Sequence, residues 1–239
     1  MSDSSPGASK AAFRKSVARE YLESIVVAII LALFVRTFAV QAFKIPTGSM
    51  EPNLLIGDHL LVNKLVYSPS LGHFEDVLLA KRPIARGHVI VFKFPEDPER
   101  DFIKRVIGLP GETVEIRGKQ VYIDGRPLTE PYAHFIDQPL HPDDPEYGLR
   151  GDSARGEWGP QVVPAGHLFV MGDNRDNSRD SRYWGFLPID QVKGRAMLVY
   201  WSYAATREEY RRQSWIDWLK DTLSAFRRTR WNRFFHVIR

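Results

Sequence analysis

The run His88-Val89-Ile90-Val91-Phe92-Lys93-Phe94 is followed by Phe102 to Ile107, and then by Thr113-Val114-Glu115-Ile116 and Gln120-Val121-Tyr122-Ile123. These four short segments are rich in β-branched and aromatic residues, the composition of strands. Arg117-Gly118-Lys119 joins the last two as a hairpin turn, and Asp124-Gly125 marks the turn after it. Working outward, Asp58 to Lys64, Leu168 to Met171 and Ala196 to Tyr200 have the same character. No long amphipathic helix separates these runs. The spacing predicts a mainly β body with antiparallel sheets over 44–200. Residues 126–160 hold six prolines together with Asp143, Asp144 and Glu146, and read as an inserted subdomain.

On the N-terminal side, residues 1–20 read as a disordered, basic segment with Lys10, Arg14, Lys15 and Arg19. Ile25 to Val35 are eleven consecutive apolar residues, and 16 of the 20 positions from Ser24 to Phe43 are apolar. A helix of about 20 residues spans about 30 Å, so a single transmembrane anchor is expected over 21–43. The preceding positive charge would place the N-terminus in the cytoplasm. Two other readings remain open: a cleaved signal peptide ending near Val40-Gln41-Ala42, and a buried core helix.

The 239 residues contain no cysteine, which excludes thiolate nucleophiles, disulfides and thiolate-bound metals. The seven histidines form no compact metal motif, and no cofactor is expected. Net charge is +4, but residues 201–239 carry nine Arg and Lys against four Asp and Glu. The body is therefore not basic, which argues against a nucleic-acid partner. The tail combines basic groups with Trp215, Trp218, Trp231, Phe234 and Phe235, a composition suited to membrane lipids; Ile216, Leu219, Leu223 and Phe226 recur at helical spacing. A helix at a membrane surface and packing against the β body are both open for this tail.

Three segments carry chemistry. In Ile45-Pro46-Thr47-Gly48-Ser49-Met50-Glu51-Pro52, two prolines stiffen a Gly-Ser turn that presents a hydroxyl. In the strand from Phe102 to Ile107, alternation places Lys104 on one face with Phe102 and Val106. A lysine in an apolar setting can serve as a base, because desolvation disfavours its ammonium form. The third segment, Gly172 to Phe186, is a dense polar run after a strand, in which Asp180 and Arg182 can pair. It lacks the glycine and closing glutamate of a calcium loop.

Taken together, PTGSMEP at 46–52, GDHLLVNK at 57–64, RGHVIVF at 86–92, FIKRVIGLPGE at 102–112 and GDNRDNSRDSRYWG at 172–185 resemble bacterial type I signal peptidase over roughly Val35 to Tyr200. The resemblance implies a serine endopeptidase with a Ser–Lys dyad that removes signal peptides from exported preproteins after small residues at −3 and −1. It implies Ser49 as nucleophile, Lys104 as general base and Thr47 as an oxyanion donor. Ser178 would position the lysine, with Asp180 and Arg182 supporting it. Phe43, Ile45, Met50, Leu54, Phe102 and Ile103 would line the substrate pockets. It also implies a single-pass protein of the bacterial inner membrane, with its catalytic domain on the outer face, working near the export machinery. Two alternatives are another Ser–Lys protease and a catalytically silent domain that binds exported peptides; residues 1–44 leave no room for the DNA-binding domain of a self-cleaving repressor.

Overall fold

Alternating burial is what turns the apolar runs into sheets. In the computed structural model, residues 17–34, 36, 39–65, 83–135, 156–204 and 227–238 are described. Met1–Phe38 and Ala39–Arg239 form two units. Among the described residues, the second contains twelve strands: β1 (Val40–Lys44), β2 (Asp58–Asn63), β3 (Val89–Phe94), β4 (Asp97–Gly108), β5 (Thr113–Arg117), β6 (Gln120–Ile123), β7 (Arg126–Pro127), β8 (Glu157–Val162), β9 (His167–Met171), β10 (Leu187–Pro188), β11 (Val192–Ser202) and β12 (His236–Val237). Every pairing between them is antiparallel. The mainly β, antiparallel body is therefore as expected.

The larger sheet runs β1-β2-β11-β3-β4-β9-β10, with β12 added to β11; the smaller runs β7-β6-β5-β8. Strand β4 pairs with both β3 and β9, so Lys104 and Arg105 sit inside the larger sheet rather than at its margin. One apolar cluster gathers Ile45, Met50, Leu54, Leu60, Val62 and Ile103; another, under the smaller sheet, gathers Ile107, Val114, Ile116, Val121 and Phe169. The expected hairpin is β5–β6, with Arg117 opposite Gln120. Strand β8 was not legible in the sequence. It is an exposed edge strand containing Gly159 and Pro160, and it overlaps the end of the stretch read as an insertion. Residues 136–155 of that stretch lie outside the described residues, as do 205–226 of the tail.

The N-terminal expectation needs correction. Helix α1 covers Val17–Phe34, eighteen residues, and carries Arg19, Glu20 and Glu23 in its first two turns. At 1.5 Å per residue this is about 27 Å, and its apolar part is shorter still. Residues 40–43, expected to continue the helix, belong to β1, whose Val40 pairs with Asn63 and Phe43 with Leu60. Among the described residues, no helix is long and apolar enough to cross a membrane. The 21–43 transmembrane helix is overturned. With it go the membrane assignment and the single-pass placement with a cytoplasmic N-terminus and an outer-face catalytic domain. The error lay in reading one apolar stretch as one element: its second part is strand, with intermediate burial for four of its five residues.

Candidate active site

The residues that end β1 lead directly into the turn holding Ser49. Ile45 is anchored by its N–H to Asp58 O and by its carbonyl to Gly57 N–H, and its side chain is buried. Glu51 N–H donates to Gly48 O and Leu54 N–H to Met50 O, so residues 48–54 wind into consecutive turns. Ser49 sits at the start of this winding and is only 2% exposed. Lys104 reaches it from the centre of β4. Nζ lies 2.7 Å from Ser49 Oγ, and Lys104 is 3% exposed. The Phe102 ring lies 5.4 Å from the Lys104 ammonium position, and Phe102 stacks on Phe94. The amine and the hydroxyl thus meet out of solvent beside the Phe102 ring, which strand alternation places on the Lys104 face.

A cavity of about 310 Å³ opens at this pair, lined by Pro46, Thr47, Ser49, Arg100, Asp101, Phe102, Ile103, Lys104 and Arg179. Thr47, expected as an oxyanion donor, and Phe102 and Ile103, expected as pocket walls, all line this cavity. Ile45, Met50 and Leu54 do not line this cavity: each is at most 2% exposed and belongs to the core cluster beneath, against which the half-buried Phe43 packs. They support the nucleophile turn from below. Arg100, Asp101 and Arg179 at the rim were not anticipated.

The polar block from 172 to 182 closes the other side of the turn. Asn174 clamps it twice, its backbone N–H donating to Ser49 O and its Nδ2 to Gly48 O, each at 3.1 Å. A trans peptide points its N–H opposite to its C=O. Fixing Gly48 O on Asn174 therefore turns the Ser49 N–H away from the block. Asp173 forms a two-pronged ion pair with Arg105, at 2.8 and 2.7 Å, with both side chains almost fully buried. Arg105 follows Lys104 in β4, so the pair fixes the strand beside the amine. Alternation told only that Arg105 leaves the Lys104 face; its buried partner is 68 residues away and left no local signal.

Asp180 and Arg182 form a second buried pair, with Arg182 Nε and Nη2 donating to the two carboxylate oxygens at 2.8 and 2.9 Å. Asp180 also accepts from Gly172 N–H and caps the short helix α2 (Ser181–Trp184). Burial alone would push the Asp180 carboxyl up, but the Arg182 charge and hydrogen bonds and the Gly172 amide together hold it below its ordinary value. The Ser178 hydroxyl adds to this at a geometry short of a hydrogen bond. Burial would likewise lower the Arg182 guanidinium, and Asp180 reverses this, raising it. Ser178 is 1% exposed, and its Oγ makes no hydrogen bond among the described residues; the expected bond to Lys104 is not formed. Ser178 nonetheless lies against the site, since a Cβ on Gly172 would meet both Ser178 Oγ and Ser49 O.

A hydroxyl beside a dry amine, at the mouth of a small pocket, can deliver an alkoxide-like nucleophile to a carbonyl without a metal ligand set. Comparison with known proteins agrees with that chemistry. The family model "Signal peptidase, peptidase S26" matches residues 18–201. The chain is 40% identical over 189 residues to Signal peptidase I of Leptolyngbya laminosa, covering 76% of this chain and 79% of that protein. It is 36% identical over 211 residues to Signal peptidase I of Pseudomonas fluorescens, covering 77% and 72%. It is 41% identical over 190 residues to the Probable signal peptidase I-1 of Synechocystis sp., covering 76% and 82%.

Proposed function

The chain belongs to the signal peptidase family, peptidase S26, and from that premise we propose that Ser49 is its nucleophile and Lys104 the general base. Membership makes the protein a serine endopeptidase that removes signal peptides by means of a Ser–Lys dyad. The observation that carries the residue assignment is the 2.7 Å approach of Lys104 Nζ to Ser49 Oγ with both groups buried.

In this reading, neutral Lys104 takes the Ser49 proton as Oγ attacks the scissile carbonyl. Burial supplies the condition, because an ammonium in a dry site is disfavoured. The Ser49 N–H, oriented by the Asn174 clamp, and the Thr47 hydroxyl hold the developing oxyanion. Lys104 then returns its proton to the departing amine, leaving the acyl group on Ser49. It next takes a proton from water, whose oxygen attacks the acyl carbon, and returns that proton to Ser49 Oγ as the acyl–serine bond breaks. Ser178 is assigned as the positioning residue of the lysine. A buried hydroxyl oxygen without a partner costs about 1–3 kcal/mol, and an N–H donated by Lys104 would relieve it while leaving the amine lone pair for the Ser49 proton. Phe102 and Ile103 shape a pocket small enough to favour small side chains at −3 and −1 of the preprotein.

The test is cleavage of a synthetic signal-peptide substrate by the wild type, Ser49→Ala and Lys104→Ala. Each variant is expected to lose on the order of 1,000-fold or more in kcat/KM. Near-wild-type turnover by either one would overturn the dyad assignment.

A further inference from the structure

Residues 227–238 lie beyond the 18–201 span matched by the family model, yet they are bolted to the loop that carries Ser49. The segment first runs along the end of β11: Ala204 N–H donates to Arg228 O, and Arg230 N–H to Ser202 O. It then turns through Trp231–Arg233, adds β12 to Leu198 and Val199, and inserts Ile238, 7% exposed, into the cluster containing Ile45, Met50 and Leu54. Two arginines reach from it to the far end of the nucleophile loop. Arg230 Nη1 donates to Ile56 O at 3.0 Å. Arg233 grips the carboxylate of Asp58 with Nε at 3.1 Å and Nη2 at 2.6 Å, while Nη2 also donates to Asn53 O at 2.8 Å.

Those contacts have a direct line to the nucleophile. Asn53 lies four residues after Ser49, in the turns closed by the Leu54 N–H to Met50 O bond. Its Nδ2 donates to Asp173 Oδ2, the carboxylate that pairs with Arg105 next to Lys104. Asp58 is 0% exposed, and its Oδ2 also accepts Leu55 N–H. A fully buried carboxylate needs a cation, and the strap supplies it through a side chain only 14% exposed. Arg233 therefore ties down both ends of the 53–58 segment, whose start abuts the Ser49 turn and the Asp173–Arg105 pair.

We propose that Arg233 is a positioning residue for the nucleophile: it holds the 53–58 segment so that Ser49 stays in register with Lys104. The inference rests on the assignment of Ser49 and Lys104 above. It predicts a loss concentrated in kcat, because the pocket walls Phe102 and Ile103 belong to β4, which Arg233 does not touch. A small displacement of a reacting group lowers rate steeply, by as much as about 100-fold for 1 Å.

The experiment uses the full chain with Arg233→Gln, Arg233→Lys and Ser49→Ala. Arg86→Gln serves as a control, since it breaks a structural contact to Glu112 and Ile107 O instead. Melting temperature, kcat and KM are measured on a signal-peptide substrate, well below each variant's Tm. Arg233→Gln is expected to lower kcat about tenfold or more with KM within about twofold. Arg233→Lys should recover part of that loss, because it keeps a charge at Asp58 but lacks the planar fork that also serves Asn53. Arg86→Gln should lose stability while keeping kcat. Wild-type kcat in Arg233→Gln, or an equal kcat loss in Arg86→Gln, overturns the inference. If Arg233→Gln does not fold, Asp58→Asn carries the same expectation and the same failing result. An active Ser49→Ala would instead refute the dyad assignment; an inactive one, beside a fully active Arg233→Gln, refutes the positioning role alone.

Discussion

The smaller sheet and the polar block against the larger one are held together by different physics. In the hairpin of β5 and β6, Val114, Ile116, Val121 and Ile123 turn inward, while Glu115, Arg117, Gln120 and Tyr122 face outward. Its geometry is local, set by period-2 alternation and two tight turns. Across the molecule, residues 172–182 bury Asp173, Arg175, Asp180 and Arg182 at 6% exposure or less. They are satisfied by partners as distant as Arg105, Glu130 and Gly48. A hydrophobic hairpin loses a little with each contact removed. A buried polar network is worth much only while every member is paired. The network is also where the catalytic turn is held, so the two regions should fail differently under mutation.

The sharpest break is Arg182→Leu. It leaves the Asp180 carboxylate buried without its cation, a loss expected to cost about 3–5 kcal/mol at neutral pH in denaturant unfolding. The pH dependence gives the sign. In the wild type the folded-state pKa of Asp180 is depressed, so its contribution is present above the unfolded carboxylate range and is lost as pH falls through the folded value. In the variant, burial, the largest influence, is opposed only by the Gly172 amide and the Ser178 hydroxyl, and is expected to raise the folded-state pKa above the unfolded one. The variant should then regain stability as pH falls toward the ordinary carboxylate range. The gap between the two proteins should narrow on acidification; a gap that stays constant from pH 7 to pH 4 would mean that Asp180 is not held ionised by Arg182.

A single methyl group makes the next comparison. A Cβ at position 172 would lie 2.3 Å from Ser178 Oγ and 2.5 Å from Ser49 O, so Gly172→Ala must displace the nucleophile turn, the 178 side chain or both. The expected result is a fall in kcat of about 100-fold, equivalent to about 2.7 kcal/mol, measured on the signal-peptide substrate. Unchanged kcat would show that the contact between the block and Ser49 does not set the geometry of attack.

The same contrast explains what could be read from the sequence. The hairpin was legible because strand period and turn residues lie within eleven consecutive positions. Ser49, Lys104 and the 172–185 block were legible as motifs, and alternation correctly gave Lys104 the face of Phe102. The Arg105–Asp173 pair and the Asn174 clamp were not, since their partners are brought together only by β4, β9 and the turn after β1. Strand β1 was misread because Val40, Ala42 and Phe43 suit a helix as well as a strand, and only pairing with β2 decides between them. The strap of Arg230 and Arg233 was invisible for a related reason. Basic and aromatic composition left a membrane surface and the β body both open, and nothing local named Asp58, a buried acid more than 170 residues earlier, as the partner that the described part of the tail finds.

Gly125→Ala is the counterpart of Gly172→Ala and isolates the local physics of the smaller sheet. Gly125 has φ +76°, and a Cβ there would meet nothing within 4 Å. Sterics with neighbours therefore contribute nothing, and the cost is that of a left-handed backbone carrying a side chain, about 1 kcal/mol. For a protein of this size that corresponds to a fall in Tm of about 2–4 °C. The turn joins β6 to β7 and touches no residue of the catalytic turn, so kcat should stay at the wild-type value. Thermal melting and turnover on the same preparation check both halves. A kcat loss here approaching that of Gly172→Ala would show that strain passes freely between the two sheets, and the division between a local hairpin and a cooperative polar network would not hold.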